Sequence, residues 1–212
     1  MKKALIGLVF LLVIVPSMKG QDYAASVKAS SLGIHLEAIR SFTPRFNARV
    51  GFAFLSYTAN SVVKSDAYNA DGNLDLKSIT AMGDWFPFKN SWRLTAGVLV
   101  NPNKASLSLV PLKTYTTGNL VYTPEKLGRL NADLTFNKIA PYLGLGIGNP
   151  TAGGSGFGVT FDLGTFYQGA PKASMTATKL LGPSASQSGI LQDNLSWFKF
   201  YPVMSVGLTY KF

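Results

Sequence analysis

Apolar residues alternate with small or polar residues through much of the chain after residue 20. The last ten residues carry the pattern most clearly, because one side of the alternation consists of Met204, Val206, Leu208, Tyr210 and Phe212. A period of two is typical of β-strands, in which successive side chains point to opposite faces. The same period recurs in residues 32–38, 92–101 and 157–164, with Leu99 as an exception. The pattern predicts an all-β protein.

The two faces of these strands differ in a way that indicates their surroundings. The apolar faces contain almost no polar residue, whereas the opposite faces mix glycine, threonine and isolated charges. In a secreted β-sandwich, which is the alternative, the apolar face would point inward and a polar face would meet water. Lipid outside and a narrow polar lumen inside fit the pattern better. It therefore predicts a transmembrane antiparallel up-and-down β-barrel.

The number of strands follows from the starts of the alternating segments. The segments start near Leu32, Asn47, Asn73, Trp92, Leu130, Pro141, Phe157, Ala173 and Tyr201. Bacterial barrels of one chain have an even number of strands, and residues 23–30 alternate well enough to supply a tenth. We favour ten strands. Eight is the alternative, in which residues 130–148 or 173–179 form fewer spans.

The connections between strands fall into two alternating classes. The short ones are residues 42–46, 87–91, 137–141 and 169–172, and the long ones are 60–72, 102–129, 149–156 and 181–197. Outer-membrane barrels have short periplasmic turns and longer extracellular loops. An aromatic girdle is predicted near the short turns and the C-terminus, formed by Phe42, Phe46, Trp85, Phe86, Phe88, Trp92, Phe136, Tyr142, Phe166, Tyr167, Tyr210 and Phe212.

The N-terminus and the composition support export to a membrane. Lys2 and Lys3 precede an apolar run too short to span a bilayer, so residues 1–20 are predicted to be a signal peptide and residues 21–212 the barrel. Only 14% of the residues are charged, compared with about 25% in soluble domains. No later stretch approaches the roughly 18 apolar residues of a transmembrane helix.

The chain resembles the small outer-membrane β-barrels of Gram-negative bacteria, the OmpA, OmpX and OmpW-like group. Val206, Leu208, Tyr210 and Phe212 match the terminal strand of that group, and GDWFPF (83–88) and NKIAPYLGLGIGN (137–149) look like stretches of its uncharacterised members. The resemblance implies an outer-membrane location and recognition of the terminal strand by the barrel-assembly machinery. It does not imply a function, since one fold can serve many.

Six charged residues fall on predicted inward faces, namely Glu37, Arg49, Asp84, Arg93, Asp133 and Asp162. Unpaired charges would be costly in a narrow lumen, so they are expected to pair or to be hydrated. We favour a structural plug of salt bridges, in which Arg49 or Arg93 lies near an inward carboxylate. The alternative is a path for a solute lined by these groups.

His35 is the only histidine and shares a strand face with Glu37. A lipid-modifying enzyme would need such a histidine to activate a serine hydroxyl. No motif marks a serine, so we favour a histidine that only fills the lumen and expect no enzyme activity. With no cysteine and one histidine, zinc is not expected. Residues 66–78 lack two calcium ligands of an EF-hand loop, and we expect no metal or cofactor.

The net charge of +10 does not indicate nucleic-acid binding, because the basic residues are scattered. Basic residues in or near the long connections could bind lipopolysaccharide phosphates: Lys64, Lys104, Lys113, Lys126, Arg129, Lys179 and Lys199. We expect a monomeric, narrow or sealed barrel with a structural role or an interaction role of its extracellular loops. A channel or binding barrel for a small solute is the second hypothesis, and the lipid-modifying enzyme is the third.

Overall fold

The computed structural model describes residues 22–64, 67–118 and 120–212, so the predicted signal peptide lies outside the described residues. The strands are β1 (Tyr23–Ser30), β2 (Gly33–Thr43), β3 (Phe46–Lys64), β4 (Tyr68–Trp85), β5 (Trp92–Val100), β6 (Lys104–Pro111), β7 (Tyr115–Thr117), β8 (Leu120–Tyr122), β9 (Leu130–Thr135), β10 (Ile139–Ile147), β11 (Gly156–Tyr167), β12 (Lys172–Ala177) and β13 (Phe200–Lys211). Helix α1 spans Pro124–Leu127, a 3-10 helix spans Lys179–Gln187, and α2 spans Ser188–Asn194. None of the described helices has the length and apolarity needed to cross a membrane.

The described strands form an antiparallel barrel. Eleven of them belong to one continuous sheet, and eight of these close into a ring in the order β1, β2, β3, β4, β5, β10, β11, β13. The ring closes because β1 pairs with β2 on one side and with β13 on the other, so that Ala25 lies opposite both Ala38 and Tyr210. Closure leaves these strands without free edges over the paired region.

The favoured count of ten strands was therefore wrong, and the alternative of eight is correct for the described ring. The segments starting at Leu130 and Pro141 are one long strand with a break at residues 136–138, and β11 and β12 are likewise separated by a break at 168–171. A third break, at residues 101–103, separates β5 from β6. Hydrogen bonds continue across the breaks, from Asn101 N to Lys138 O at 2.6 Å and from Asn137 N to Gln168 O at 3.1 Å. Residues 137–141 and 169–172 are not turns.

Because residues 136–138 and 168–171 are breaks and not turns, the segment between them has the opposite sidedness to the prediction. Residues 149–156 were predicted to be a long extracellular loop, but they lie at the end that carries Phe212, which we call the turn end. Gly148 N donates to Ser91 O at 2.8 Å, and Lys211 Nζ donates to Gly153 O at 2.5 Å. We call the opposite end of the barrel the loop end. Three aromatic residues that the sequence placed in the turn-end girdle lie toward it, namely Phe136, Phe166 and Tyr167.

The loop end differs from the prediction mainly in the length of its strands. Strands β3 and β4 continue through most of the predicted loop 60–72, because β3 ends at Lys64 and β4 begins at Tyr68. The predicted loop 102–129 contains β6, the hairpin β7–β8 and helix α1, which ends at Gly128 with a φ of 92°. Asn119, which separates β7 from β8 in the sequence, lies outside the described residues.

Beyond the breaks the sheet continues as an extension formed by β6, β9, β12 and the loop-end parts of β3 and β4. In the ring, outward residues such as Val98 and Leu143 are apolar and exposed. In the extension the polarity is inverted. The inward face carries the cross-strand row Leu74, Ala105 and Leu134. The neighbouring row, which faces outward, consists of Asp75, Lys104 and Thr135. The ring is apolar outside, and the extension is apolar inside.

Candidate functional site

Six charged side chains meet inside the ring and form what we call the ionic layer: Lys28, Glu37, Arg49, Asp84, Arg93 and Asp162. Each comes from a different strand, because alternation turns every second residue inward. None of the six side chains is more than 5% exposed. Three cations face three carboxylates, so the layer is neutral as a whole.

Arg49 connects one half of the ionic layer. Its Nη1 donates to both carboxylate oxygens of Glu37 at 3.0 and 3.2 Å, and its Nε lies 2.8 Å from Asp84 Oδ2. The Glu37 carboxylate also lies 2.7 Å from Lys28 Nζ. A buried charge is tolerated only with such partners, so these strands are tied together through their side chains as well as through the backbone.

Asp162 is the centre of the other half. It accepts hydrogen bonds from Lys28 Nζ at 2.7 Å, from Arg93 Nη2 at 2.5 Å and from Ser205 Oγ at 3.1 Å. Arg93 also donates to the carbonyl oxygen of Gly148, where β10 has just ended. The layer therefore spans the whole cross-section of the ring, from β1 to β5 and β11.

Glycines in the wall provide the room for the large lumen side chains. A Cβ at Gly146 would lie 2.6 Å from Arg93 Nε, and a Cβ at Gly51 would lie 2.5 Å from His35 Nε2. A Cβ at Gly144 or at Gly164 would lie still closer to the hydroxyl oxygen of Tyr142. The GLGIG stretch thus supplies space for the guanidinium and phenol groups that fill the lumen.

An apolar layer fills the lumen on the loop side of the ionic layer. Its larger members are Leu32, Met82, Leu99, Tyr142, Phe166 and Val203, all buried, and Tyr201 stacks on Phe166 with ring centroids 5.0 Å apart. Leu99, the exception in its strand, belongs to this layer. A cavity of about 20 Å³ remains between the two layers, which is roughly the space of one water molecule.

The turn end is covered by the connection after β10. Thr151 Oγ1 donates to Asn47 Oδ1 at 3.2 Å, and Asn47 Nδ2 donates to Asn149 Oδ1 at 3.4 Å. Together with the bond from Lys211 to Gly153, these contacts hold residues 149–153 against the ends of β3 and β13. Three successive levels of the described lumen are therefore occupied by protein atoms.

His35 lies in the lumen next to the ionic layer. Its Nε2 is 3.1 Å from Thr80 Oγ1, and its Nδ1 is 3.7 Å from Glu37 Oε1. The order of hydroxyl, imidazole and carboxylate is that of a hydrolase triad, but the second distance is too long for a hydrogen bond and Thr80 is only 1% exposed. A substrate has no access to this hydroxyl. Among the described residues, no group of three or more His, Asp or Glu side chains could hold a metal ion.

Five of the six charged residues predicted for the lumen lie in the ionic layer, but Asp133 does not. Asp133 is on the outward face of the extension, where it accepts a hydrogen bond from Ser106 Oγ at 2.7 Å. The prediction was wrong because the polarity of the strand faces inverts beyond the breaks. Lys28 was not among the predicted lumen residues. It lies on the face of β1 opposite to that of Val27 and Ala29, and this alternation could have identified it.

The four residues of the predicted assembly signature lie along the last strand. Val206, Leu208 and Tyr210 point outward and are exposed. Phe212 follows the strand, and its ring centroid lies 5.2 Å from that of Tyr210. Backbone N of Phe212 donates to Tyr23 O at 3.1 Å, so the terminal residue fastens the closing pair of strands.

A second concave feature, which we call the loop-end pocket, lies on the inner face of the extension. It has a volume of about 390 Å³ and is lined mainly by Tyr57, Ala59, Gly72, Leu74, Ala105, Leu107, Ala132, Leu134 and Leu191, with Asn73 and Ser106 also at its wall. The first eight residues belong to four neighbouring strands, and Leu191 comes from α2. No side chain that lines it is charged.

This chain is similar to known proteins in structure, whereas its sequence matches none of those compared. No protein-family model matches the sequence, and no curated protein is significantly similar to it. The crystal structure of Acinetobacter baumannii CarO aligns with a TM-score of 0.61 and 17% identity over 92% of this chain and 100% of that one. The crystal structure of A. baumannii CarO2 aligns with a TM-score of 0.60 and 16% identity over 90% and 98%. The chain therefore has the fold of a small outer-membrane β-barrel protein.

Proposed function

We propose that the chain is an integral outer-membrane barrel that does not conduct, and that it acts through its loop end. The observation that carries the proposal is the filled lumen, in which the ionic layer and the apolar layer leave a cavity of only about 20 Å³. Eight-stranded barrels are just wide enough for side chains to fill, whereas porins with an aqueous channel have 16 to 18 strands.

The outer surface of the ring supports insertion in a membrane. Strands β5 and β10 have nine residues each, which is close to the roughly 9–11 residues that span a bilayer as a tilted strand. Exposed aromatic rings border the turn end at Trp85, Phe88 and Trp92. Aromatic residues concentrate at such interfaces.

The polarity inversion supports a second membrane border at the level of the breaks. On the loop side of the breaks the outward face becomes polar, as expected of a surface in water. Four exposed lysines, which we call the lysine belt, lie at this level: Lys104, Lys138, Lys172 and Lys199. Lys104 and Lys172 both lie opposite Thr135. Phosphate groups of an anionic outer leaflet would bind such a belt.

We expect neither solute transport through the ring nor catalysis at His35. The solute path that the sequence left open would have to pass through the ionic layer, which holds seven buried ion pairs. The His35 imidazole lies in the lumen beside the same layer. A monomer is the expected state, since the eight-stranded ring closes within one chain. The extension above the breaks remains available for interactions.

Single-channel recording of the refolded barrel in a planar bilayer tests the proposal. We expect no discrete current steps from protein whose folded state is established by its heat-dependent gel mobility. A porin reconstituted in parallel controls for the sensitivity of the recording. Discrete steps whose size changes in Arg49→Ala or Arg93→Ala would overturn the sealed barrel and favour a selective channel.

A further inference from the structure

The loop-end pocket is apolar although it lies on the water side of the proposed membrane border. Its floor consists of two adjacent cross-strand rows, one formed by Tyr57, Leu74, Ala105 and Leu134 and the other by Ala59, Gly72, Leu107 and Ala132. Four of these eight residues are small, namely Ala59, Gly72, Ala105 and Ala132, and they leave a trough between the larger side chains. Apolar surface of this kind in water calls for a ligand or a cover.

The size of the pocket restricts what can occupy it. Four strands spaced about 4.8 Å apart give the trough a length of roughly 14 Å. Its volume of about 390 Å³ lies within the range of small-molecule sites, roughly 300–1,000 Å³. Leu191 of α2 narrows it, and Gln192 Oε1 of the same helix accepts a hydrogen bond from Ala173 N at 3.4 Å.

The chemistry of the lining restricts the ligand further. Burying an unpaired charge against an apolar wall is costly, and no lining side chain carries a charge that could pair with one. We propose that the loop-end pocket binds a small, elongated, uncharged apolar molecule that arrives from the external water. The proposal rests on the proposed function only in placing the extension outside the membrane.

Two probes with the same ring skeleton provide the test. N-phenyl-1-naphthylamine is uncharged, and 1-anilinonaphthalene-8-sulfonate adds one sulfonate. The barrel is reconstituted in lipid nanodiscs with labelled leucine methyl groups, and each probe is titrated. We expect saturable ring-current shifts at Leu74, Leu107 and Leu134 with the uncharged probe, and at least tenfold weaker binding of the sulfonate.

Leucines on the outer face of the ring serve as the control for partitioning of the probe into the lipid. Leu94 and Leu143 are exposed there and should shift without saturation, in proportion to the probe dissolved in the lipid. Ala105→Leu fills the trough and should weaken binding at least tenfold. Ala96→Leu is the matched control, because it makes the same change on the outer face of β5, the strand that continues into β6. It should leave binding unchanged.

Four results would overturn the proposal. The sulfonate could bind as tightly as the uncharged probe. The pocket methyl groups could shift without saturation, as Leu94 does, or Ala105→Leu could bind as tightly as the unaltered chain. Methyl contacts of Leu107 with residues 178–187 in the free protein would indicate that the chain itself fills the pocket. The comparison of the two probes needs no variant, so it stays decisive if Ala105→Leu does not fold. Conductance of the ring would refute the sealed barrel without affecting this binding.

Discussion

The Arg49 guanidinium donates to both carboxylate oxygens of Glu37, at 3.0 and 3.2 Å, across the pairing of β2 with β3. The other side of the same guanidinium faces Asp84, with Nε 2.8 Å from Oδ2. Arg49 is therefore shared by Glu37 of β2 and Asp84 of β4, the two strands that pair with β3. Its removal would leave both of them buried with fewer partners.

Replacing Arg49 by methionine should destabilise the folded barrel strongly. Breaking a buried ion pair by removing one partner costs about 3–5 kcal/mol, because the remaining charge stays buried. Urea unfolding in lipid vesicles, followed by tryptophan fluorescence, measures the change. Lys77→Met removes a lysine from the exposed pair with Asp75 and should cost less than about 1 kcal/mol. Equal losses in the two variants would contradict a structural role for the ionic layer.

Adding a methyl group at Gly146 should displace the Arg93 side chain. The new Cβ would lie 2.6 Å from Arg93 Nε, and overpacking of this kind costs about 1–3 kcal/mol. Gly83→Ala is the matched control, since its Cβ would meet nothing nearer than Ala96 O at 3.8 Å. That control should stay within about 0.5 kcal/mol of the unaltered chain. The same unfolding assay compares the two, and a neutral Gly146→Ala would mean that Arg93 does not hold its observed position.

Removing the lysine belt should reduce the stabilisation that anionic lipids give to the barrel. The variant combines Lys104→Gln, Lys138→Gln, Lys172→Gln and Lys199→Gln. Each lysine near an anionic surface contributes about 1 kcal/mol, so the difference in unfolding free energy between anionic and zwitterionic vesicles should shrink. Lys89→Gln, in the 86–91 connection at the turn end, is the control. An unchanged lipid dependence in the fourfold variant would argue against a membrane border at the breaks.

Phe212→Ala should impair assembly more than stability. The Phe212 ring lies against Tyr210 at the exposed end of β13, where the assembly machinery is expected to recognise the strand. We expect less folded protein in the outer membrane of cells but a loss below about 1 kcal/mol after refolding in vesicles, because the half-buried ring stands at the end of the strand and its backbone bond to Tyr23 is kept. Phe200→Ala, at the other end of the same strand, is the control. A similar defect in both variants would remove the special role of the terminal residue.

The sequence was sufficient for the class of the fold, an all-β barrel, because one physical rule governs the strands locally. Alternation with a period of two identifies strands wherever one face meets an apolar phase and the other a polar phase. It also identified five members of the ionic layer, since inward positions are fixed by the same parity. Their pairing was not predictable residue by residue, because Asp162 and Lys28 are 134 positions apart and meet only through the closure of the ring.

The number of strands could not be read from the sequence for a local reason. Residues 137–141 and 169–172 have the composition of turns, with Asn137 and Gly169 at their starts. In the folded chain Gly169 has a φ of 73° and lies against Asn137. The two breaks therefore fit side by side within continuing strands. Only the hydrogen bonds to neighbouring strands distinguish such a break from a reversal of the chain.

By itself, the sequence determined the strands, the barrel class and the inward parity of Glu37, Arg49, Asp84, Arg93 and Asp162. The tertiary structure decided the strand number, the end at which residues 149–156 lie, and the outward position of Asp133. The physical reason is that alternation shows which residues share a face but does not show whether that face meets lipid, water or the interior of the barrel. That choice depends on whether a segment lies in the ring or in the extension, and it is fixed only when the strands pair.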